Sequence, residues 1–328
     1  MNKRPLCVLA LVSLALCWLP HAAAQAPPKS RRQSSEPRIR VEVNLVSVLA
    51  SVLDRNGRPV ADLTPDSFEL YEEGVKQKIE RLEAETSQPL DLALMIDSSL
   101  STFKELAFER EAAAHFIRQV VRPGDRLAVY QFSEEVVQLA PFSSDVPALQ
   151  AAVRAMDAGT GTAMFDAVIL GSRELSRGGR GRRRVIVLVT DAGETSSAGT
   201  YEEARSAALR SEALLYTVLI RPVKSESGRN TAGEHALVTI TDVTGGAMYS
   251  PDSAEELDAI FDRIDRELRT QYRLGYYPEP RPPAARYRRL EVRVSGCVSA
   301  PTEKQASAET PACVVRHRRG YFTARAAE

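Results

Sequence analysis

Between residues 90 and 269, short apolar runs alternate with longer amphipathic stretches. The runs at 90–96, 127–132, 185–189 and 214–220 are nearly continuous rather than alternating, the pattern of parallel strands covered on both faces. Stretches at 103–121, 146–156, 163–175 and 201–211, and later at 235–243 and 254–268, carry the spacing of helices. Strand–helix alternation of this kind predicts a doubly wound α/β domain over residues 88–269, with a mostly parallel, Rossmann-like sheet flanked by helices. A short hairpin at 134–139 adds an antiparallel edge strand.

The flanks change period. Val41, Val43, Leu45, Val48 and Val52 lie in a β-prone stretch ended by the turn Asp54-Arg55-Asn56-Gly57. Residues 68–72 and 78–82 flank a second turn at Glu73-Gly74. After residue 270, strands are predicted at 272–277, 286–294 and 313–318, followed by Gly320-Tyr321-Phe322. Neither flank, 39–85 or 270–324, holds enough apolar surface for a core of its own. The two are therefore expected to form one small antiparallel β unit, with the α/β domain inserted between them. No internal repeat interrupts this plan.

Residues 1–24 read as a signal peptide: Lys3 and Arg4, an apolar run at 6–19, then Ala22-Ala23-Ala24, with cleavage expected before Gln25. The run is shorter than the roughly 20 residues a spanning helix needs. Leu16, bulky where a small residue precedes a lipidated cysteine, argues against anchoring through Cys17. Residues 25–38, polar and proline-rich, read as a disordered linker. The protein is thus expected to be exported to the periplasm, the cell surface or the medium, without a transmembrane segment after cleavage. Of four cysteines, only Cys297 and Cys313 then remain, and in an oxidising compartment they are expected to form a disulfide. The formal net charge over 328 residues is zero, which gives no reason to expect nucleic acid as a partner.

The candidate chemistry lies at the strand ends. The first buried run ends in Asp97-Ser98-Ser99-Leu100-Ser101, and ligands of open α/β sheets bind beyond the carboxyl ends of strands. Gly159-Thr160-Gly161-Thr162 precedes a helix, and the third run ends in Thr190-Asp191. Asp97, Ser99, Ser101, Thr162 and Asp191 make an all-oxygen set suited to a hard cation, Mg²⁺ or else Mn²⁺ or Ca²⁺. Taken singly, each serine or threonine is as well explained as a helix cap.

Together these positions resemble the metal-ion-dependent adhesion site of von Willebrand factor A-like domains. There, Asp-x-Ser-x-Ser ends the first strand, while Thr and Asp come from two later loops. The flanking sequences, Leu63 to Glu72 and Arg319-Gly320-Tyr321, resemble a subgroup of exported VWFA-related proteins abundant in acidobacteria. The resemblance implies that the serines and the threonine bind the cation directly, with the aspartates direct or through water. It also implies that an Asp or Glu of a partner protein completes the sphere. One departure stands out: the usual Thr-Asp-Gly is here Thr190-Asp191-Ala192-Gly193, and Ala192 adopts a positive φ less cheaply than glycine, for which Gly193 is a possible compensation.

The expected function is cation-dependent protein binding in adhesion or assembly. The alternative is a structural scaffold module whose metal site is vestigial. An enzyme is not expected, because Ser99 lacks a G-x-S-x-G elbow and residues 159–162 lack the ending of a phosphate loop. None of His115, His235 and His317 carries a local signature of a catalytic base. The run Arg-Gly-Gly-Arg-Gly-Arg-Arg-Arg at 177–184 reads as a solvated loop more readily than as a polyanion site. Tyr272, Tyr276 and Tyr277 read as core more readily than as a carbohydrate platform.

Overall fold

The computed structural model describes residues 45–84, 88–99, 106–179, 181–220, 231–251, 253, 256–280, 286–299 and 313–323. The expected signal peptide and linker, and Ser101, lie outside these residues. Four strands come first: β1 (Val46–Asp54), β2 (Phe68–Glu72), β3 (Val75–Gln77) and β4 (Ile79–Ala84). The α/β portion opens with β5 (Leu90–Asp97), α1 (Leu106–Val120), β6 (Arg126–Phe132), β7 (Val136–Ser143), α2 (Val146–Arg154) and α3 (Met164–Ser176). It continues with β8 (Arg183–Thr190), α4 (Tyr201–Ser211), β9 (Leu214–Leu219), α5 (Thr231–Thr244), β10 (Ala247–Tyr249) and α6 (Leu257–Leu268). The chain ends in β11 (Tyr272–Tyr276), β12 (Tyr287–Val294), β13 (Val298–Ser299), β14 (Cys313–His317) and β15 (Gly320–Phe322).

The central sheet has the order β10-β9-β8-β5-β6-β7. Every neighbour is parallel except β7, the expected antiparallel edge. All eight residues of β5 are buried, because helices cover both faces. Leu90, Leu92, Leu94 and Ile96 meet α1 and α6, while Ala93 and Met95 face α3 and α5. Each such large aliphatic side chain contributes roughly 1.5–3 kcal/mol by leaving water. On α6, Leu257, Phe261, Ile264 and Leu268 recur at helical spacing, and Phe261 stacks on Phe116 of α1 with ring centroids 4.6 Å apart. α4 starts where its sequence says it should: Thr200 and Glu203 form a reciprocal capping box.

The terminal segments do combine, as two facing sheets. One has the order β13-β14-β1-β11-β4 and the other β15-β12-β2-β3. Val48, Val52, Phe68, Leu70, Leu274, Val292 and Val315 fill the space between them. The strand that follows the turn at Glu73-Gly74 is not the expected one at 78–82, however. β2 pairs with β3 at 75–77, whereas β4 leaves to pair with β11 in the other sheet. Glu73 and Gly74 both take positive φ, 49° and 79°, the requirement of a two-residue type I′ turn, so the return strand begins at once with Val75. Val75 and Lys76 are exposed, and three such residues carry no legible β pattern. Tyr272 and Tyr276 are core residues, while Tyr277 is exposed.

The sheet unit and the α/β portion are stitched together. Arg316 pairs with Glu267 of α6 at 2.9 Å and Arg319 with Asp242 of α5 at 2.8 Å. Gly245, at φ 81°, ends α5 so close to β14 that a Cβ there would lie 2.4 Å from the His317 carbonyl carbon.

Cys297 and Cys313 form the expected disulfide, spanning 16 positions of sequence. A closed loop of that size restricts the unfolded chain by about 3 kcal/mol in the loop-entropy treatment. The double Cys→Ser variant is therefore expected to unfold at lower urea concentration by about that free energy, with an unchanged fold by circular dichroism. Equal midpoints for the two proteins would show that the bridge adds no stability.

Candidate metal centre

Strand order reverses around β5: β6 and β7 lie on one side, and β8, β9 and β10 on the other. The crevice beyond the carboxyl ends of β5 and β8 is thus the topological switch point, and the predicted oxygen donors gather there. Asp97 is fully buried and Ser99 nearly so. Asp97 Oδ1 accepts from Ser99 N at 3.0 Å, and Oδ2 accepts from the Thr190 hydroxyl at 2.6 Å. Thr190 Oγ1 in turn accepts from Ala192 N at 3.1 Å. The ends of β5 and β8 are locked together through that one hydroxyl.

The second loop is laid beside them by backbone pairing. Ser99 and Gly159 form an isolated parallel bridge, with Gly159 N donating to Ser98 O at 2.8 Å. Ser98 N donates across to Phe132 O of β6 at 2.9 Å. Glu134 Oε2 then accepts from Thr160 N at 2.8 Å and Gly161 N at 3.2 Å. Hydrogen bonds from its own amide, and then from those two, hold the Glu134 carboxyl down at about 2. Thr162 N donates to Thr195 Oγ1 at 2.9 Å, while Thr162 O accepts from Thr195 N at 2.9 Å. The third loop is therefore tied to the second.

Asp191 and Thr162 meet at Gly193. A methyl group there would lie 3.0 Å from Asp191 Oδ1 and 3.2 Å from Thr162 Oγ1, so both oxygens crowd one side of that glycine. Gly193 N donates to Asp191 Oδ1 at 2.8 Å. Positive φ falls on Ala192, at 63°, and not on Gly193 as suggested by its place in the sequence. An L-residue there costs roughly 1–2 kcal/mol of backbone strain. Ala192 is fully buried in the core against α3 and α4, and its methyl recovers about 0.8 kcal/mol.

Four of the five predicted donors are thus described, and the fold collects them from three loops. The fifth, Ser101, falls outside the described residues. Sequence reasoning overlooked Thr190, the group that holds Asp97, although its place beside Asp191 at a strand end was a signal. It also overlooked Glu134 and Thr195, which order the loops from more than 25 residues away in the chain and leave no local trace.

The electrostatics suit a cation. Burial, with some help from the Asp191 charge, pushes the Asp97 carboxyl up to about 6, against hydrogen bonds from Thr190 and Ser99 that pull it down. The donors described are two carboxylates and neutral hydroxyls. Among the described residues, no three His, Cys, Asp or Glu side chains gather at one point. An oxygen-only set with few charges fits a hard divalent ion and does not fit zinc.

The family model described as von Willebrand factor type A domain matches residues 91–263. No curated protein matches the chain. Among solved structures, a von Willebrand factor type A protein from Catenulispora acidiphila is 13% identical with a TM-score of 0.49, covering 85% of this chain and 74% of that one. The vWF domain of a type V pili tip protein from Porphyromonas gingivalis is 14% identical with a TM-score of 0.44, covering 55% of this chain and 94% of that one. A conserved hypothetical protein from Bacteroides thetaiotaomicron is 16% identical with a TM-score of 0.44, covering 55% of this chain and 100% of that one. No described helix is long and apolar enough to cross a membrane.

Proposed function

Since the chain belongs to the von Willebrand factor type A family, we propose that it is an exported binding module that captures an acidic side chain of a partner protein, in adhesion or assembly. The observation that carries this reading is the meeting of Asp97, Ser99, Thr162 and Asp191 at the switch point, stitched by Thr190. A hard divalent cation, Mg²⁺ or else Mn²⁺ or Ca²⁺, would supply there an electrophilic point for an incoming carboxylate. Asp97 and Asp191 would provide the negative charge, Ser99 and Thr162 neutral oxygens, and Ser101 the same by its place in the motif. With neutral hydroxyls as most of the donors directly on it, the cation would stay electrophilic enough for an incoming carboxylate to complete its sphere.

The module is read as a binder and not an enzyme. His115 and His317, two candidates for a general base, are engaged elsewhere: His115 Nδ1 lies 3.0 Å from Asp258, and His317 bonds backbone groups of the terminal sheets. Titration of Mg²⁺, Mn²⁺ and Ca²⁺ into metal-stripped mature protein is expected to give saturable heat. The Asp97→Ala and Thr162→Ala variants are expected to weaken it by at least tenfold, the loss of one good ligand contact. Folded protein that takes up no cation would leave the scaffold reading, with a vestigial site, as the better one.

A further inference from the structure

Among the described residues, four other than glycine take positive φ: Asp62, Glu73, Ala192 and Glu212. Three have a local reason. Glu73 opens the tight turn after β2 and pairs with Arg289, Ala192 follows the metal-centre aspartate, and Glu212 caps α4 and pairs with Arg318. Asp62, at 63°, has none. Aspartate tolerates the left-handed region better than most residues, usually by bonding to its own backbone. Asp62 does not: its side chain is exposed and makes no hydrogen bond or ion pair among the described residues. The conformation strains an L-residue, so the surroundings must impose it.

Tyr272 imposes it. From a buried ring, its hydroxyl donates to Val60 O at 2.9 Å and accepts from Leu63 N at 3.1 Å. Val60 N donates in turn to Val52 O of β1 at 2.8 Å. Both sides of Ala61-Asp62 are thus fixed to the core, and the carboxylate is held outward on a pinned loop. A side chain presented in this way loses little freedom when it is bound.

The loop lies far from the metal centre of its own chain. The terminal sheets join the α/β portion at the amino ends of its strands: β4 leads towards Leu90, and Gln271, beside Tyr272, accepts from Arg183 at 3.4 Å. Arg183 is the first residue of β8 and Thr190 the last, seven residues or roughly 23 Å apart. Asp62 would have to span the length of the sheet to reach its own cation site.

We propose that Asp62 is the acidic side chain captured by the metal centre of a second copy of this chain. This rests on the cation-dependent reading above and names its partner. The carboxylate and the site that receives it sit at opposite ends of one molecule, so the contact is heterologous and repeats head to tail as an open chain. Charge favours the docking. Glu135 and Asp157 are exposed beside the second loop of the metal centre, and Arg58, exposed four residues before Asp62, brings the opposite sign.

Sedimentation velocity of the mature protein at rising concentration, in Mg²⁺ and in chelator, tests the proposal. Oligomers that lengthen with concentration are expected in Mg²⁺, and monomer in chelator. Asp62→Gly is expected to weaken association at least tenfold and to leave calorimetric cation binding unchanged. Its urea midpoint should rise, because glycine takes positive φ without strain, so misfolding does not explain the lost association. Asp66→Asn, which removes a second exposed carboxylate four residues on, is expected to leave association as it is. Mixing Asp62→Gly, which keeps the metal centre, with Asp97→Ala, which keeps Asp62, should give pairs that grow no further. A parent protein that takes up no cation would sink the cation-dependent reading, and this proposal with it. A parent that binds cation yet stays monomeric, or an Asp62→Gly variant that assembles like the parent, would overturn the proposal alone and leave that reading standing.

Discussion

Asp97→Asn is expected to make the metal-free protein more stable at pH 7.5 by about 2 kcal/mol while removing its response to divalent cations. The carboxyl of Asp97 titrates near 6 in the folded protein, against an ordinary 3.8. Between those values the folded state holds a proton that the unfolded chain has released. Stability from this group is therefore complete below about pH 4 and is lost as pH rises through 6. Above that, the buried charge costs about 3 kcal/mol relative to the protonated form. Asparagine keeps the shape and removes the charge. Its amide would face the Thr190 hydroxyl, which now donates to Oδ2 at 2.6 Å, and reorienting that hydroxyl takes back about 1 kcal/mol. Urea denaturation in chelator at pH 7.5 and pH 4 checks the argument. The gain should be present at the higher pH and absent at the lower. A variant less stable than the parent at both would mean that the charge is well solvated and the site less closed than described.

His317 sets the opposite slope. It is 1% exposed in the terminal sheets, where Val292 N donates to its Nε2 at 3.1 Å and its Nδ1 lies 2.8 Å from Arg318 O. The ring is thus neutral with its proton on Nδ1, and a second proton on Nε2 would point at the Val292 N–H. Burial accordingly pushes its pKa down to about 4 from 6.5. Because the folded value is the lower one, its contribution is complete above pH 6.5 and is lost as pH falls towards 4, amounting to about 3 kcal/mol. In the metal-free parent, the slopes of Asp97 and His317 oppose each other between about pH 4 and 6 and largely cancel. The Asp97→Asn variant exposes the histidine slope alone, so its stability should fall by 2–3 kcal/mol from pH 7 to pH 4.5. Adding His317→Gln should flatten the profile. A slope unchanged by that second substitution would assign the acid sensitivity to another group.

Much of this protein was legible before folding was considered. Residues 90–96 announce a strand buried on both faces because they are apolar on both parities, and the strand found runs one residue further, to Asp97. Helical spacing marks Leu257, Phe261, Ile264 and Leu268 as one face of α6. The motif Asp-x-Ser-x-Ser, with Thr162 and Asp191, was readable because ligand-bearing loops sit at strand ends in a fixed order. Period, burial and turn chemistry are local properties, written within a dozen residues.

Partnership is not local. Which strand β4 joins depends on hydrogen bonds to β11, almost 200 residues away in the chain. β10 has three residues, too few for any pattern, and exists because β9 offers it an edge. Ala192 takes a conformation its own chemistry disfavours because Thr190 and the core around its methyl hold it there. The arginine run reads the same along its length in sequence, and only the docking of the terminal sheets against β8 and α4 covers its end, Arg182 and Arg183, while Arg177 stays exposed. In each case the deciding energy is summed over segments distant in the chain, so the sequence by itself determined the elements and their donors, and the tertiary structure decided what each of them faces.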